Sequence, residues 1–204
     1  VWKAAGPGAA AYAVKVITID RKAGVRELKA VAALARITHP NLVPIAGVWL
    51  KDHNGTLNTE AEADAAPLQI GKTKHLFIAT PLADGSLAAR LADCRKRGLA
   101  GVPFPELIRY VEDAARGLDH LHLPTSDYGD GPGAIVHAEV KPTNLLAYGH
   151  RGKLGDGGLS RIFVPDVRTT FMGGASAYAS PELLNNEPCP ATDQYALAVS
   201  YYEL

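Results

Sequence analysis

The apolar positions of this chain fall first into strand-like runs, interrupted by one helical stretch, and then into helical spacings. Val1–Ala5 and Ala11–Ile19 read as two strands joined by a hairpin, because Gly6-Pro7-Gly8 punctuates two β-compatible runs. In Val25–Thr38 the spacing changes, with Leu28, Val31 and Leu34 recurring at helical intervals and Arg26, Glu27, Lys29 and Arg36 elsewhere on the wheel. Asn41–Leu50 and His75–Ala79 are apolar and predict two more strands. Lys51–Lys74, between them, carries Glu60, Glu62, Asp64 and many small residues, the pattern of an exposed insertion to which we assign no chemistry.

Ser86 is a fair N-cap for a helix over Leu87–Arg97. Glu106–Leu123 predicts a long amphipathic helix with Leu107, Val111, Ala114, Leu118 and Leu121 on one side. His120 and His122 read as helix-end or surface residues rather than metal ligands, since a spacing of two puts them on different faces. Tyr195–Leu204 is again helical in character.

Composition narrows the class without naming a function. The 204 residues, 47% hydrophobic and 21% charged, describe an ordinary globular chain with one or two cores. Lys+Arg and Asp+Glu are both 21, so the net charge is zero and gives no electrostatic reason to expect nucleic acid or a membrane surface as partner. Cys94 and Cys189 are far apart and unpatterned, which fits reduced thiols in a cytoplasmic setting better than a disulfide framework or a zinc site. No apolar run approaches the ~20 residues of a membrane span, so no membrane insertion is expected in this segment. The only methionine is Met172, and a chain running from Val1-Trp2-Lys3 into the helical Tyr195–Leu204 reads as a segment of something longer.

The chemistry concentrates in Ile135-Val136-His137-Ala138-Glu139-Val140-Lys141-Pro142-Thr143-Asn144-Leu145-Leu146, with Asp156 following a short hairpin that ends in Lys153-Leu154-Gly155. An apolar pair leads into a histidine, a carboxylate, a lysine and a carboxamide, and a second apolar pair closes the run. This stretch resembles the catalytic loop H-R-D-x-K-P-x-N of protein kinases, and Asp156-Gly157-Gly158 is similar to their D-F-G. Ala13-Val14-Lys15 resembles the V-A-I-K strand, although the tripeptide alone also suits a lysine on a solvated strand face.

The resemblance implies an α+β, two-lobed protein-kinase-like fold truncated at both ends. Residues 1–80 would be a small β-rich N-lobe, 81–84 the hinge and 85–204 the start of a mainly helical C-lobe. It further implies an ATP-dependent, serine/threonine-type phosphotransfer to a protein substrate, with Mg²⁺, because phosphoryl transfer needs positioned groups and charge neutralisation. Glu139 would stand near the attacking hydroxyl and Lys141 near the γ-phosphate, while Asn144 and Asp156 would ligate the metal. Lys15 would hold the α- and β-phosphates with Glu27 as partner; Glu27 lies twelve residues before His39-Pro40, so either an extra helical turn is present or Ala30 takes the glutamate position. Thr80 would be the gatekeeper of a hinge through Pro81, Leu82 and Ala83 that holds adenine by its backbone, with Val1, Ala13 and Leu146 lining the nucleotide. A glycine-rich loop is expected just before Val1.

Downstream, Tyr178-Ala179-Ser180-Pro181-Glu182 resembles the A-P-E end of an activation segment. Asp193 is similar to the buried aspartate that opens the next helix and holds the catalytic loop's backbone.

Two departures bear on activity. Where the family has Arg-Asp, this chain has Ala138-Glu139, which keeps the carboxylate but adds one methylene and so moves it by more than about 1 Å, and a misplacement of ~1 Å can cost ~10²-fold in rate. Ala138 also removes the arginine that would read a phosphate on Thr169 or Thr170. Gly157 replaces a phenylalanine expected beneath the helix carrying Glu27. An active kinase, a pseudokinase that binds nucleotide or serves as a scaffold, and a small-molecule phosphotransferase of the aminoglycoside-kinase type are the competing readings; Lys141-Pro142 and Ser180-Pro181-Glu182 argue against the last.

Overall fold

A computed structural model of the chain describes residues 1–18, 35, 37–59, 73–123, 134–155 and 177–204. Two compact units result, one of Val1–Ile37 with Pro44–Leu82, the other of Thr38–Val43 with Ala83–Leu204. Glu27 and Ala30, Asp156 and Gly157, and Thr169 and Thr170 lie outside the described residues. Of the helix expected over Val25–Thr38, Ala35 is helical, whereas Ile37 and Thr38 are not.

The first unit is built on a five-stranded antiparallel sheet ordered β1-β2-β5-β3-β4, with β1 at Trp2–Ala5, β2 at Ala11–Thr18, β3 at Gly47–Asp52, β4 at Leu57–Thr59 and β5 at Thr73–Pro81. The expected β1–β2 hairpin forms through Pro7–Ala9, closed by Gly6 N–H donating to the Ala10 carbonyl at 2.8 Å. Gly8 takes a φ of 68° there, a conformation open to glycine at little cost. Val48 and Leu50 stand directly across from Ile78 and Leu76, and all four are buried on one face, as alternation along paired strands requires.

Two expectations fail in this unit for identifiable reasons. The strand expected over Asn41–Leu50 begins only at Gly47. Asn41–Val43 instead joins the second unit, where the Asn41 carbonyl accepts from Leu154 N–H at 2.8 Å and Val43 N–H donates to Leu154 at 3.0 Å. Pro44, next in line, has no N–H to give a sheet. The expected insertion Lys51–Lys74 is partly sheet: Lys51 and Asp52 finish β3 and the chain returns as β4. Asp52 makes that turn by accepting from Asn54 and Thr56 N–H at 2.9 and 2.8 Å, with Gly55 at a φ of 91°.

The second unit carries the helices. α1 spans Leu87–Lys96, and its N-cap is as expected, Ser86 Oγ accepting from Ala89 N–H at 3.2 Å. α2 spans Phe104–His122, starting two residues before the expected Glu106 because Pro105 suits a first helical turn. It buries Leu107, Tyr110, Ala114, Leu118 and Leu121. Arg90 grips Glu106 through two hydrogen bonds of 2.7 and 2.8 Å, tying α1 to α2. A small antiparallel sheet orders β6 (Gly85–Ser86), β7 (Leu145–Tyr148) and β8 (Arg151–Leu154). Short α3 (Pro181–Leu184) and α4 (Pro190–Glu203) complete the unit. Among the described residues, no helix is long and apolar enough to cross a membrane.

Candidate active site

The loop from Ile135 to Asn144 is held from below by one carboxylate. Asp193, in the first turn of α4 and with no solvent exposure, accepts the backbone N–H of His137 at 2.8 Å and of Ala138 at 2.7 Å. Successive amides can converge on one carboxylate only if the chain turns sharply, and Ala138 does so with a φ of 58°. That left-handed conformation costs a residue with a Cβ roughly 1–2 kcal/mol, which the paired hydrogen bonds to a buried anion offset. The Ala138 methyl group packs into a small apolar cluster with Val136, Leu183 and Ala179.

Beyond Ala138 the loop alternates. Ala138, Val140 and Pro142 are buried, whereas Glu139 and Lys141 are half-exposed, so the two charged side chains emerge on the same side. Lys141 Nζ donates to Glu139 Oε1 at 2.7 Å. Asn144 Nδ2 donates to the Glu139 carbonyl at 2.8 Å, and the Asn144 carbonyl accepts from Gly155 N–H at 2.9 Å. A carbonyl only accepts, so the Asn144 nitrogen must face it and its Oδ1 is the atom that remains for a ligand. The end of the β7–β8 hairpin is thereby fastened to Asn144 one residue before Asp156.

Sequence reasoning missed one member of this support. His122 Nε2 stands 2.8 Å from Asp193 Oδ2, and because a carboxylate only accepts, Nε2 carries the proton. His120 does point elsewhere: it stacks on His39 with ring centroids 4.7 Å apart. Burial, then the neighbouring His120 and Lys153, hold the His39 imidazole below its ordinary pKa. His39 Nδ1 in turn accepts from Asn41 N–H at 3.1 Å, and Asn41 Nδ2 donates to the Gly152 carbonyl at 3.2 Å. Spacing alone separated the two histidines correctly onto different faces but held no sign of partners some 70 to 80 residues away.

Within the first unit, Ala13 pairs directly with Thr80 and Lys15 with Ile78. Cross-strand partners project to the same face, so Lys15 lies on the face that also carries buried Ile78 and Val48. Thr80 and Pro81 are still strand residues, and Leu82 N–H is committed to the Ala11 carbonyl at 3.0 Å. Val1 precedes β1 and is exposed. In the second unit, Ala83 follows Leu82, and Leu146 sits on β7 opposite Lys153 and Ser86.

The donor set suits a hard cation and a polyphosphate. An amide oxygen such as Asn144 Oδ1 is the ligand type Mg²⁺ takes, and the Lys141 ammonium is an anion partner. Among the described residues no cluster of three His, Cys, Asp or Glu side chains could hold a metal by itself.

Comparison with known proteins bears on both units. The protein kinase domain family matches residues 6–204. Calcium/calmodulin-regulated receptor-like kinase 1 of Arabidopsis thaliana is 29% identical over 208 residues, covering 100% of this chain and 40% of its own length. L-type lectin-domain containing receptor kinase VI.2 of the same plant is 29% identical over 209 residues, covering 100% of this chain and 27% of its own length. For L-type lectin-domain containing receptor kinase S.1, also from A. thaliana, the figures are 27% over 197 residues, 94% and 26%. The chain thus spans between about a quarter and two fifths of the length of these curated relatives. Its sheet-based first unit and largely helical second unit give it a mixed α+β fold, and by the extent of the match the chain belongs to the protein kinase domain family.

Proposed function

We propose that this chain is the nucleotide-binding and phosphotransfer part of an ATP-dependent serine/threonine protein kinase, slowed by its glutamate at position 139. The observation that carries the reading is the Asn144 side chain bonded to the Glu139 carbonyl, on a loop whose preceding two amides are fixed by Asp193. A candidate base and a candidate metal ligand are thereby held in fixed relation, which is most of what phosphoryl transfer asks of a protein.

In this reading Mg²⁺ bound with ATP supplies neutralisation of phosphate charge. Asn144 Oδ1 and Asp156 hold the metal. Lys141 holds the γ-phosphate, and Lys15, with Glu27 or another carboxylate as partner, holds the α- and β-phosphates. The hinge of Thr80, Leu82 and Ala83, with Val1, Ala13 and Leu146, takes the adenosine end. Glu139 accepts the proton of the attacking hydroxyl, its carboxylate standing farther from the backbone than an aspartate's would. The Lys141-Pro142 pair favours a serine or threonine hydroxyl over a tyrosine.

The test is ATP-dependent phosphorylation of a generic basic protein and of the chain itself. Glu139→Asp should raise the rate by drawing the carboxylate back under the attacking hydroxyl, and Glu139→Ala should lower it. Silence of wild type and Glu139→Asp alike, with Mg-ATP still bound, would replace this reading by a nucleotide-binding pseudokinase.

A further inference from the structure

The stacked imidazoles of His39 and His120 stand at one end of a chain of contacts within the second unit that finishes on Asn144. Their ring centroids are 4.7 Å apart and their planes 17° from parallel. His39 Nδ1 accepts from Asn41 N–H at 3.1 Å. Asn41 in turn holds β8 twice, its side chain donating to the Gly152 carbonyl at 3.2 Å and its carbonyl accepting from Leu154 N–H at 2.8 Å. Val43 N–H donates to the Leu154 carbonyl at 3.0 Å. The next residue, Gly155, donates to the Asn144 carbonyl at 2.9 Å and lies so close to Leu146 and Val43 that an added Cβ would stand 2.6 and 3.0 Å from them. Leu146 and Asn144, residues of the candidate site, therefore share Gly155 with the segment that His39 begins.

Among the described residues, the groups that face His39 from neighbouring elements are basic, His120 on α2 and Lys153 on β8. Neither ring has a carboxylate partner there, and Arg116, one turn before His120, is paired with Glu112 and Asp113 at 3.6 and 3.4 Å. Neutral rings can stack. A proton on His39 Nδ1 would instead set a donor against Asn41 N–H, and two charged rings this close repel. We propose that the His39–His120 pair is a proton-operated clasp on the candidate nucleotide site, which holds Asn41–Val43 on Leu154 and Gly155 while both rings are neutral and, on acidification, opens and loosens the Asn144 end of the site. That the loosened end serves nucleotide rests on the reading of the site given above. Burial, then His120 and Lys153, hold the His39 imidazole below its ordinary 6.5, so the clasp is shut at pH 7.5 and opens as pH falls below 6.5.

The test is amide hydrogen exchange of the full chain without nucleotide, read as protection factors by NMR at pH 7.5 and 5.5, for wild type, His39→Asn and His120→Phe. His39→Asn keeps a side-chain oxygen for the amide two residues on but does not titrate, and His120→Phe keeps an aromatic ring on His39. In wild type, protection of the Val43 and Leu154 amides should fall about fivefold at pH 5.5, the worth of one hydrogen bond, while that of Ala114 and Leu118 inside α2 holds. The fall should vanish in His39→Asn and shrink in His120→Phe. An equal fall at all four amides would mean general destabilisation and would overturn the clasp, as would the same local fall in either variant. Calorimetric titration with Mg-ATP at the same two pH values then reads the site: affinity should drop more in wild type than in His39→Asn, protonation of the nucleotide itself being common to both. A local fall with no such difference would overturn control of the site. Failure of wild type to bind Mg-ATP at either pH would remove the proposed function, and with it control of the site, whereas the exchange result would still decide whether the clasp exists.

Discussion

His122 Nε2 lies 2.8 Å from Asp193 Oδ2, and this contact joins the last turn of α2 to the first turn of α4 beneath the loop that carries Glu139. Asp193 is fully buried and already accepts two loop amides, so His122 completes the ring of donors around it. A buried carboxylate is tolerated only when its oxygens are satisfied in this way.

Asp193→Asn should therefore destabilise the fold by about 3 kcal/mol, because it removes the charge and turns an NH₂ toward groups that are themselves donors. His122→Ala, which strips one donor and leaves the amides in place, should cost about 1–2 kcal/mol. Urea unfolding of the three proteins reads both values. Equal midpoints for wild type and Asp193→Asn would show that the loop does not depend on this carboxylate.

Asn144 has two separable jobs, one for each end of its carboxamide. Asn144→Ala and Asn144→Asp both lose the donor to the Glu139 carbonyl and should lower stability without ligand by about 1–3 kcal/mol. Only Asn144→Asp keeps an oxygen for Mg²⁺, so the melting-temperature rise given by Mg-ATP should survive in it and shrink in Asn144→Ala. The same rise in both variants would take residue 144 out of the metal site.

Gly117 sits inside α2, where alanine normally gains about 1 kcal/mol of helix propensity. A Cβ there would come within 3.0 Å of the Asn41 carbonyl and 3.1 Å of a Leu42 methyl. That carbonyl cannot give way easily, since it accepts from Leu154 and its residue is tied to His39 and Gly152. Gly117→Ala should thus lower the melting temperature, overpacking at ~1–3 kcal/mol exceeding the propensity gain. A higher melting temperature would mean that the Asn41 segment moves freely.

His39 makes stability depend on pH in a definite direction. Its folded pKa is lowered from 6.5, chiefly by burial and then by His120 and Lys153, so the unfolded chain takes up the proton more readily. Its contribution is complete above the unfolded value of 6.5 and is lost as pH falls through that value toward the lower folded one. Protonation at Nδ1 would also remove the acceptor for Asn41 N–H. Unfolding midpoints followed from pH 7.5 to 5 should fall less steeply in His39→Gln than in wild type. Parallel profiles would exclude His39 as the titrating group.

Much of this protein was legible locally. The order His137, Glu139, Lys141, Asn144 carries its chemistry in residue type and spacing, and the structure brings the last three into contact because they are near neighbours on one turn. Ser86 announced α1 and the apolar stripe of Glu106–Leu123 announced α2, since capping and amphipathicity act within a few residues. Position in space was decided by tertiary structure. Nothing in Asn41–Val43 shows that it will leave the strand pattern to bind Leu154, and the pairing of His120 with His39 and of His122 with Asp193 depends on groups brought together from far along the chain. Sequence alone determined which groups this loop carries. Only the fold decided that a buried aspartate fixes its backbone, because Asp193 lies far along the chain and reaches the His137 and Ala138 amides only once α4 is packed beside the loop.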